Sequence, residues 1–224
     1  MKISVIIAVY NGADRLREAI ASARAQDLMP FEIIVVDDGS TDETPAVIAS
    51  FGSAIRPLHQ RHAGLSAAHN LALRHASGEA IAFLDHDDLW PPHSLSTLAR
   101  LLRSDATVDI ASGKVEMRYE RLTPPSKEMA RSLVETNRPF MMHSLLIRRH
   151  VFDRIGFFDE RFTHAMDMDW YMRARDYGVR FEFVPEVTMI YRMHETNMTR
   201  DVHATTQGIL GALKNSIERR RQSQ

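Results

Sequence analysis

Ala80-Ile81-Ala82-Phe83-Leu84-Asp85-His86-Asp87-Asp88-Leu89-Trp90 is an apolar run that ends abruptly in carboxylates. The run has the character of a buried strand. Asp85, Asp87 and Asp88 would repel one another unless a cation sits between them. Strand-end carboxylates are also where a parallel α/β sheet places its ligand site. The triplet therefore points to a hard divalent metal, Mg²⁺ or Mn²⁺, holding a phosphate-bearing ligand. An acidic turn capping the next helix is the competing explanation, and the rest of the chain decides between them.

Upstream of this stretch, apolar runs alternate with helical patterns. Ile3–Val9 and Phe31–Val36 read as buried parallel strands rich in Ile and Val. Between them, Leu16, Ala19, Ile20 and Ala23 give Asp14–Ala25 a helical period. Ser40 and Glu43 have capping-box spacing, and Pro45 is tolerable only in a first helical turn. A third strand is expected at Ile55–His59, a helix over Leu65–Ala76, and the fourth strand at Ala80–Leu84. This order predicts a parallel sheet covered by helices on both faces.

Downstream the pattern is less regular. A helix opens at Pro91-Pro92 and runs to about Arg103, and a longer strand is expected over Val108–Tyr119. Thr123–Asn137, polar and with two prolines, reads as a mobile loop or a short helix, and as a loop it would close over donor or acceptor. His143–Ile147 is a further strand and Asp167–Asp176 a helix. Phe181–Val184 and Val187–Tyr191 read as two short strands. The tail, Asp201–Gln224, is expected as a helix whose Ile209, Leu210, Leu213 and Ile217 stripe packs on the core by default, with an oligomer contact or an anionic membrane as the alternatives. Its Arg219-Arg220-Arg221 run is expected as a solvated end.

Composition sets bounds. The 224 residues are 44% hydrophobic and 25% charged, as in an ordinary globular protein. A formal net charge of −1 provides no basic field for nucleic acid, and the absence of cysteine excludes disulfides and thiolate metal sites. No apolar segment reaches the ~18 to 20 residues needed to cross a bilayer. The expected setting is cytoplasmic, with a peripheral contact at the inner face of the membrane left open.

The chain resembles the inverting glycosyltransferases of family 2. The resemblance rests on an ordered set of pieces: Ser4–Gly12, Ile34–Asp42, Gly64–Asn70, Ala82–Asp88, Gly156–Glu160 and Asp167–Arg173. It covers roughly residues 2 to 195, and it implies a GT-A (Rossmann-like) α/β fold. That fold has a mostly parallel central sheet flanked by helices and a smaller acceptor-side subregion. The donor half would be about 1–104, the acceptor half about 105–195, and a helical tail would occupy 196–224.

The resemblance also implies roles. Ala8, Val9, Tyr10 and Asn11 would line the base pocket, with core packing a competitor for Tyr10. Asp38 would accept from a uracil-like N–H or a ribose hydroxyl. Asn70 belongs to the nucleotide-sugar-binding set. In the DxD-like triplet, Asp87 would ligate the metal, and Asp85 would hold the ribose or a metal-bound water. His86 is counted with the nucleotide-sugar side, although strand alternation turns it opposite to its neighbours. Asp88 is assigned to capping the next helix. Asp167 would be the base that takes the acceptor proton, with Asp169 its local rival. The family's preceding Glu is replaced by Met166, which points to a changed acceptor pocket. In Tyr191-Arg192-Met193-His194, the histidine would complete the metal shell, and Arg192 would meet phosphate or pack against the sheet. His69 stands where relatives commonly carry Arg, leaving Arg61 or His62 as substitutes.

The implied activity is metal-dependent transfer of a sugar from a UDP-, GDP- or dTDP-sugar to a glycan, lipid-linked or protein hydroxyl. The alternative is a catalytically silent GT-A module that binds sugar nucleotide or glycan. A haloacid-dehalogenase-type phosphohydrolase fits poorly, because its motif belongs on the first strand and Leu89 stands at its fifth position. A sugar nucleotidyltransferase would need a Gly-rich, Arg-containing N-terminal loop. Dinucleotide binding would need a Gly-x-Gly-x-x-Gly turn where Tyr10-Asn11-Gly12-Ala13 stands. Oligomeric state is open.

Overall fold

The computed structural model describes residues 1–120 and 141–222. Within them, seven strands form one sheet: β1 (Ile3–Val9), β2 (Glu32–Asp37), β3 (Arg56–His59), β4 (Ala80–Phe83), β5 (Ile110–Tyr119), β6 (Leu145–Arg148) and β7 (Phe181–Met193). Their order is β3-β2-β1-β4-β6-β5-β7. The first four run parallel, as the βα alternation predicts. β6 enters antiparallel to both β4 and β5, and β7 closes the edge parallel to β5. The helices are α1 (Ala13–Arg24), α2 (Thr44–Ala49), α3 (Leu65–His75), α4 (Ser94–Ser104), α5 (Arg149–Ile155), α6 (Met166–Asp176) and α7 (Val202–Gln222).

The strand period of two divides the core between the faces. Ile3, Val5, Ile7 and Val9 pack with Leu16 and Ile20 of α1 and Leu95, Leu98 and Leu102 of α4. Ile6 and Ala8 face the other way, toward Ala68 and Ala72 of α3, Phe152 of α5 and Trp170 of α6. Each fully buried aliphatic side chain contributes about 1.5–3 kcal/mol, so β1, buried at every position, is the keel of the sheet.

Several expectations are corrected. The two short strands around Pro185 are one strand. β7 continues through the proline because its register against β5 shifts there, and an irregular ladder can spare the missing N–H. The strand expected from His143 begins at Leu145, and Met142–Ser144 form a 3₁₀ turn that takes His143 out of the ladder. Ser40 and Glu43 do not form a capping box. Helix α2 starts at Thr44, and the Ser40 hydroxyl accepts from the Asn11 N–H at 2.9 Å. Pro45 does fall in the first turn. Thr123–Asn137 lies outside the described residues.

The tail is a helix, but it is turned the other way. Leu210, Leu213 and Ile217 are exposed, while Ala212 and Ser216 are buried. The approach of α7 explains this. A Cβ at Gly208 would lie 2.5 Å from the His164 carbonyl, and one at Gly211 would lie 3.2 Å from the Phe162 ring. Only the small-residue face fits. The arginines are not a free solvated end either. Arg219 faces Asp169 and Asp176 at 3.5 Å, and Arg220 donates to Asp176 at 2.8 Å.

Candidate active site

Where β4 ends, the Leu84 N–H still reaches the Ile6 carbonyl, and the chain then turns so that the Asp88 N–H meets the Asp85 carbonyl. This turn gathers Asp85, Asp87 and Asp88, each offering an oxygen within 4.8 Å of the others. Asp88 is not the cap of α4, which begins at Ser94 behind His93. Its carboxylate is fully buried, and one oxygen accepts the Arg192 N–H at 2.8 Å while the other has no partner among the described residues. Burial, and then the charges of Asp85 and Asp87, push its pKa up to about 8.

The neighbouring chain fixes the cluster from β7. Leu89 bridges to Ile190. Buried Arg192 donates to the Asp87 carbonyl and pairs with Glu18 and, at 3.7 Å, with Glu120. Its guanidinium is therefore framework. The His194 Nε2 lies 3.0 Å from the Asp87 carboxylate, and its Nδ1 meets the Thr196 hydroxyl at 2.9 Å. A hard divalent cation fits this donor set: three convergent carboxylates, one buried oxygen without a partner, and at Asp88 a pKa raised by burial and then by its neighbours' charges.

Beside this cluster stands a residue that the sequence did not single out. His143, carried on the 3₁₀ turn before β6, puts its Nε2 2.9 Å from Asp85. Burial works against the charged imidazole, but Asp85, Asp88 and Asp167 together outweigh it and push its pKa up to about 9. Asp85 is correspondingly held low, its burial overcome mainly by His143. In the sequence, a histidine ahead of an apolar run carried no signal of this position.

Asp167 lies in the first turn of α6, after Ala165 at φ +55°. The Met168 N–H donates to its carboxylate at 2.9 Å. Burial raises its pKa, and the His143 charge pulls it back part of the way. Asp169 is buried against Arg173 at 2.9 Å and Arg219 at 3.5 Å, so the two candidate bases are separated. Asp167 shares the electrostatic field of His143 and Asp85. His69, fully buried beside Phe83 and Phe158, is held neutral with a pKa near 3, chiefly by burial. It therefore offers no cation at this position.

The ends of β1 and β2 form the other wall. The Val9 carbonyl accepts the Asp38 N–H at 2.8 Å, and Ala8 and Val9 are buried in the sheet. Tyr10 is partly exposed and stacks on His62 with centroids 3.9 Å apart. Asn11, at φ +50°, accepts the Thr41 N–H at 2.8 Å. His86 lies over Gly12, where any Cβ would overlap its ring. Asp38 is buried and accepts from Gln60 Nε2 and from the N–H groups of Ala63 and Gly64, at 2.7, 2.9 and 2.9 Å. Its His62 contact is 2.9 Å. Asn70 gives its amide to the Phe158 carbonyl and the Glu160 carboxylate, and it accepts the Phe158 N–H at 3.0 Å. Both side chains thus already serve as internal clamps.

Comparison with known proteins places this geometry. The profile of glycosyl transferase family 2 matches residues 4–164. An uncharacterized glycosyltransferase of Rickettsia typhi is 33% identical over 211 residues, 88% of this chain and 65% of that protein. The chain thus spans just under two thirds of that relative's length. YwdF of Bacillus subtilis, also an uncharacterized glycosyltransferase, is 31% identical over 229 residues, 95% of this chain and 83% of the relative. Among solved structures, the mannosyltransferase PcManGT from Pyrobaculum calidifontis, in complex with GDP-Man and Mn²⁺, gives a TM-score of 0.75 at 24% identity. The match covers 97% of this chain and 64% of that one. S. aureus TarS 1–349 in complex with UDP-GlcNAc gives 0.72 at 22% identity, over 90% of this chain and 61% of that one. At these identities the likeness speaks to the fold, which is GT-A.

Proposed function

The chain belongs to glycosyl transferase family 2, and from that premise we propose that it moves a sugar from a nucleotide-diphosphate donor to a hydroxyl acceptor with inversion. The observation that carries this is the meeting of the Asp85–Asp87–Asp88 cluster with Asp167 across His143. In this reading residues 1–104 hold the donor, 105–195 shape the acceptor side, and the reaction serves glycan or polysaccharide assembly in the cytoplasm.

Asp167 accepts the proton of the acceptor hydroxyl as that oxygen forms its bond to the anomeric carbon. The bond from that carbon to the phosphate oxygen breaks, and its electron pair leaves with the nucleoside diphosphate. Asp87, with Asp85, Asp88 and His194, would hold Mn²⁺ or Mg²⁺, which when bound would supply positive charge to neutralise a diphosphate. Tyr10, Asn11 and His86 border the nucleotide, and buried Asp38 clamps Gln60, Ala63 and Gly64 beside them. His143 keeps Asp85 in place and, by its charge, offsets part of the rise that burial imposes on the Asp167 pKa. PcManGT was solved with GDP-Man and TarS with UDP-GlcNAc, which supports a nucleotide-sugar as the donor.

Calorimetric titration with UDP, GDP and dTDP, each with Mn²⁺ and with EDTA, tests the reading. Metal-dependent binding of one nucleotide, abolished by Asp87→Ala, is expected. Absence of binding by all three would overturn the donor assignment.

A further inference from the structure

We propose that the outer face of α7 is a docking surface for anionic lipid bilayers. Val202, Leu210, Leu213 and Ile217 are 71, 54, 41 and 52% exposed. At 3.6 residues per turn these four fall within a sector of about 80° and extend over about 22 Å of helix. Thr206 falls in the same sector, and its hydroxyl is already used on the Val202 carbonyl at 2.7 Å. Exposed Lys214 and Arg221 stand along one border of the sector, and no acidic side chain lies inside it. Glu218 lies farther round the helix, toward Asn215 and Gln222.

The division of labour on this helix is the reverse of ordinary packing. Gly208, Gly211, Ala212 and Ser216 meet the body of the protein, and Arg219 and Arg220 latch onto Asp169 and Asp176. The aliphatic residues are not needed to hold α7 down, yet they are kept together on one side. An apolar strip edged by cations suits the boundary between headgroups and acyl chains of an anionic leaflet. A second copy is a poorer occupant. Four aliphatic side chains offer a few hundred Å², against roughly 800 Å² per partner in a stable interface. A two-fold pairing would also bring the same cations near one another. No described helix is long and apolar enough to cross a membrane, so the contact is peripheral.

The inference stands on exposure and charge, independently of the chemistry at the acidic cluster. Sedimentation of the full chain with vesicles of phosphatidylcholine alone, and with one third phosphatidylglycerol, reads it directly. Binding to the anionic vesicles, weakened by salt, is expected. The double variant Leu213→Asp, Ile217→Asp should lower partitioning about tenfold or more. Lys214→Gln with Arg221→Gln should lower it roughly fivefold per cation removed. Both variants should keep the circular dichroism spectrum and Tm of the parent, which controls for folding. Three results would overturn the proposal: no vesicle binding, equal binding to neutral and anionic vesicles, or binding indifferent to the Asp variants. So would a dimer in analytical ultracentrifugation that the Asp variants dissociate while vesicles bind nothing.

Discussion

Asp167 and His143 have interdependent charges, and this makes the pH dependence of transfer predictable. Asp167 can accept a proton only when ionised, and burial raises its pKa above the ordinary carboxylate range. Activity should therefore fall as pH drops through that raised value. His143, cationic across the neutral range with a pKa near 9, pulls Asp167 down. In His143→Gln the acid limb of the kcat profile should move to higher pH. A merely structural role for His143 would lower the rate without moving the limb. Asp167→Asn should lose about 10²–10⁴-fold in kcat while donor affinity, read by calorimetry, is retained. Asp85, Asp87, Asp167 and His194 were legible in the sequence because motif order and strand ends locate them. His143 was not, because its place depends on a 3₁₀ turn that no local pattern announces. Asp88 reads as a helix cap because a helical pattern opens a few residues later. The Arg192 N–H that holds it instead comes from 104 positions away.

At the scale of elements, the segment between α5 and α6 is held by side chains that bind backbone. The Asn70 amide on α3 clamps Phe158 through both its N–H and its carbonyl. Arg173 on α6 donates to the carbonyls of Ile155 and Phe157 at 2.8 and 2.7 Å, and the Trp170 Nε1 donates to Gly156 at 3.2 Å. Asn70→Ala leaves buried backbone groups unpaired, so urea unfolding should show a loss of about 2 kcal/mol or more. Nucleotide affinity should persist. If affinity collapsed with stability unchanged, Asn70 would be a ligand contact instead of a clamp. Gly208→Val should lift α7 off the His164 carbonyl, costing about 1–3 kcal/mol in the same assay. The strands and helices of the first hundred residues were legible because periods of two and 3.6 are local. The facing of α7 was not, since an Ile/Leu stripe looks the same whether it meets core or solvent. What decides it is how closely Gly208 and Gly211 allow the helix to approach.

Across the whole molecule, the site lies where the strand order reverses. From β1 the chain builds outward through β2 and β3, then returns to add β4 on the other side. The crevice at that switch point opens at the carboxyl ends of β1 and β4, where Tyr10, Asn11, His86 and the acidic cluster stand. Gathering three carboxylates there sets a cost on the entire fold. In the unfolded chain Asp88 titrates near its ordinary value of 3.8, while in the native state its pKa is about 8. Between those values the native state holds a proton that the unfolded state has released. Stability without metal should therefore fall as pH rises through this window and level off above it. A divalent cation would offset both the burial of the charged Asp88 and its repulsion by Asp85 and Asp87, so Mn²⁺ should raise Tm more at pH 8 than at pH 5. Asp88→Asn should raise the metal-free Tm at pH 8 and flatten the pH dependence, and it should also shrink the gain from Mn²⁺. Thermal denaturation of both proteins at the two pH values, with Mn²⁺ and with EDTA, measures all three effects. A parent protein whose metal-free Tm did not fall between pH 5 and pH 8 would show that the cluster does not strain the fold.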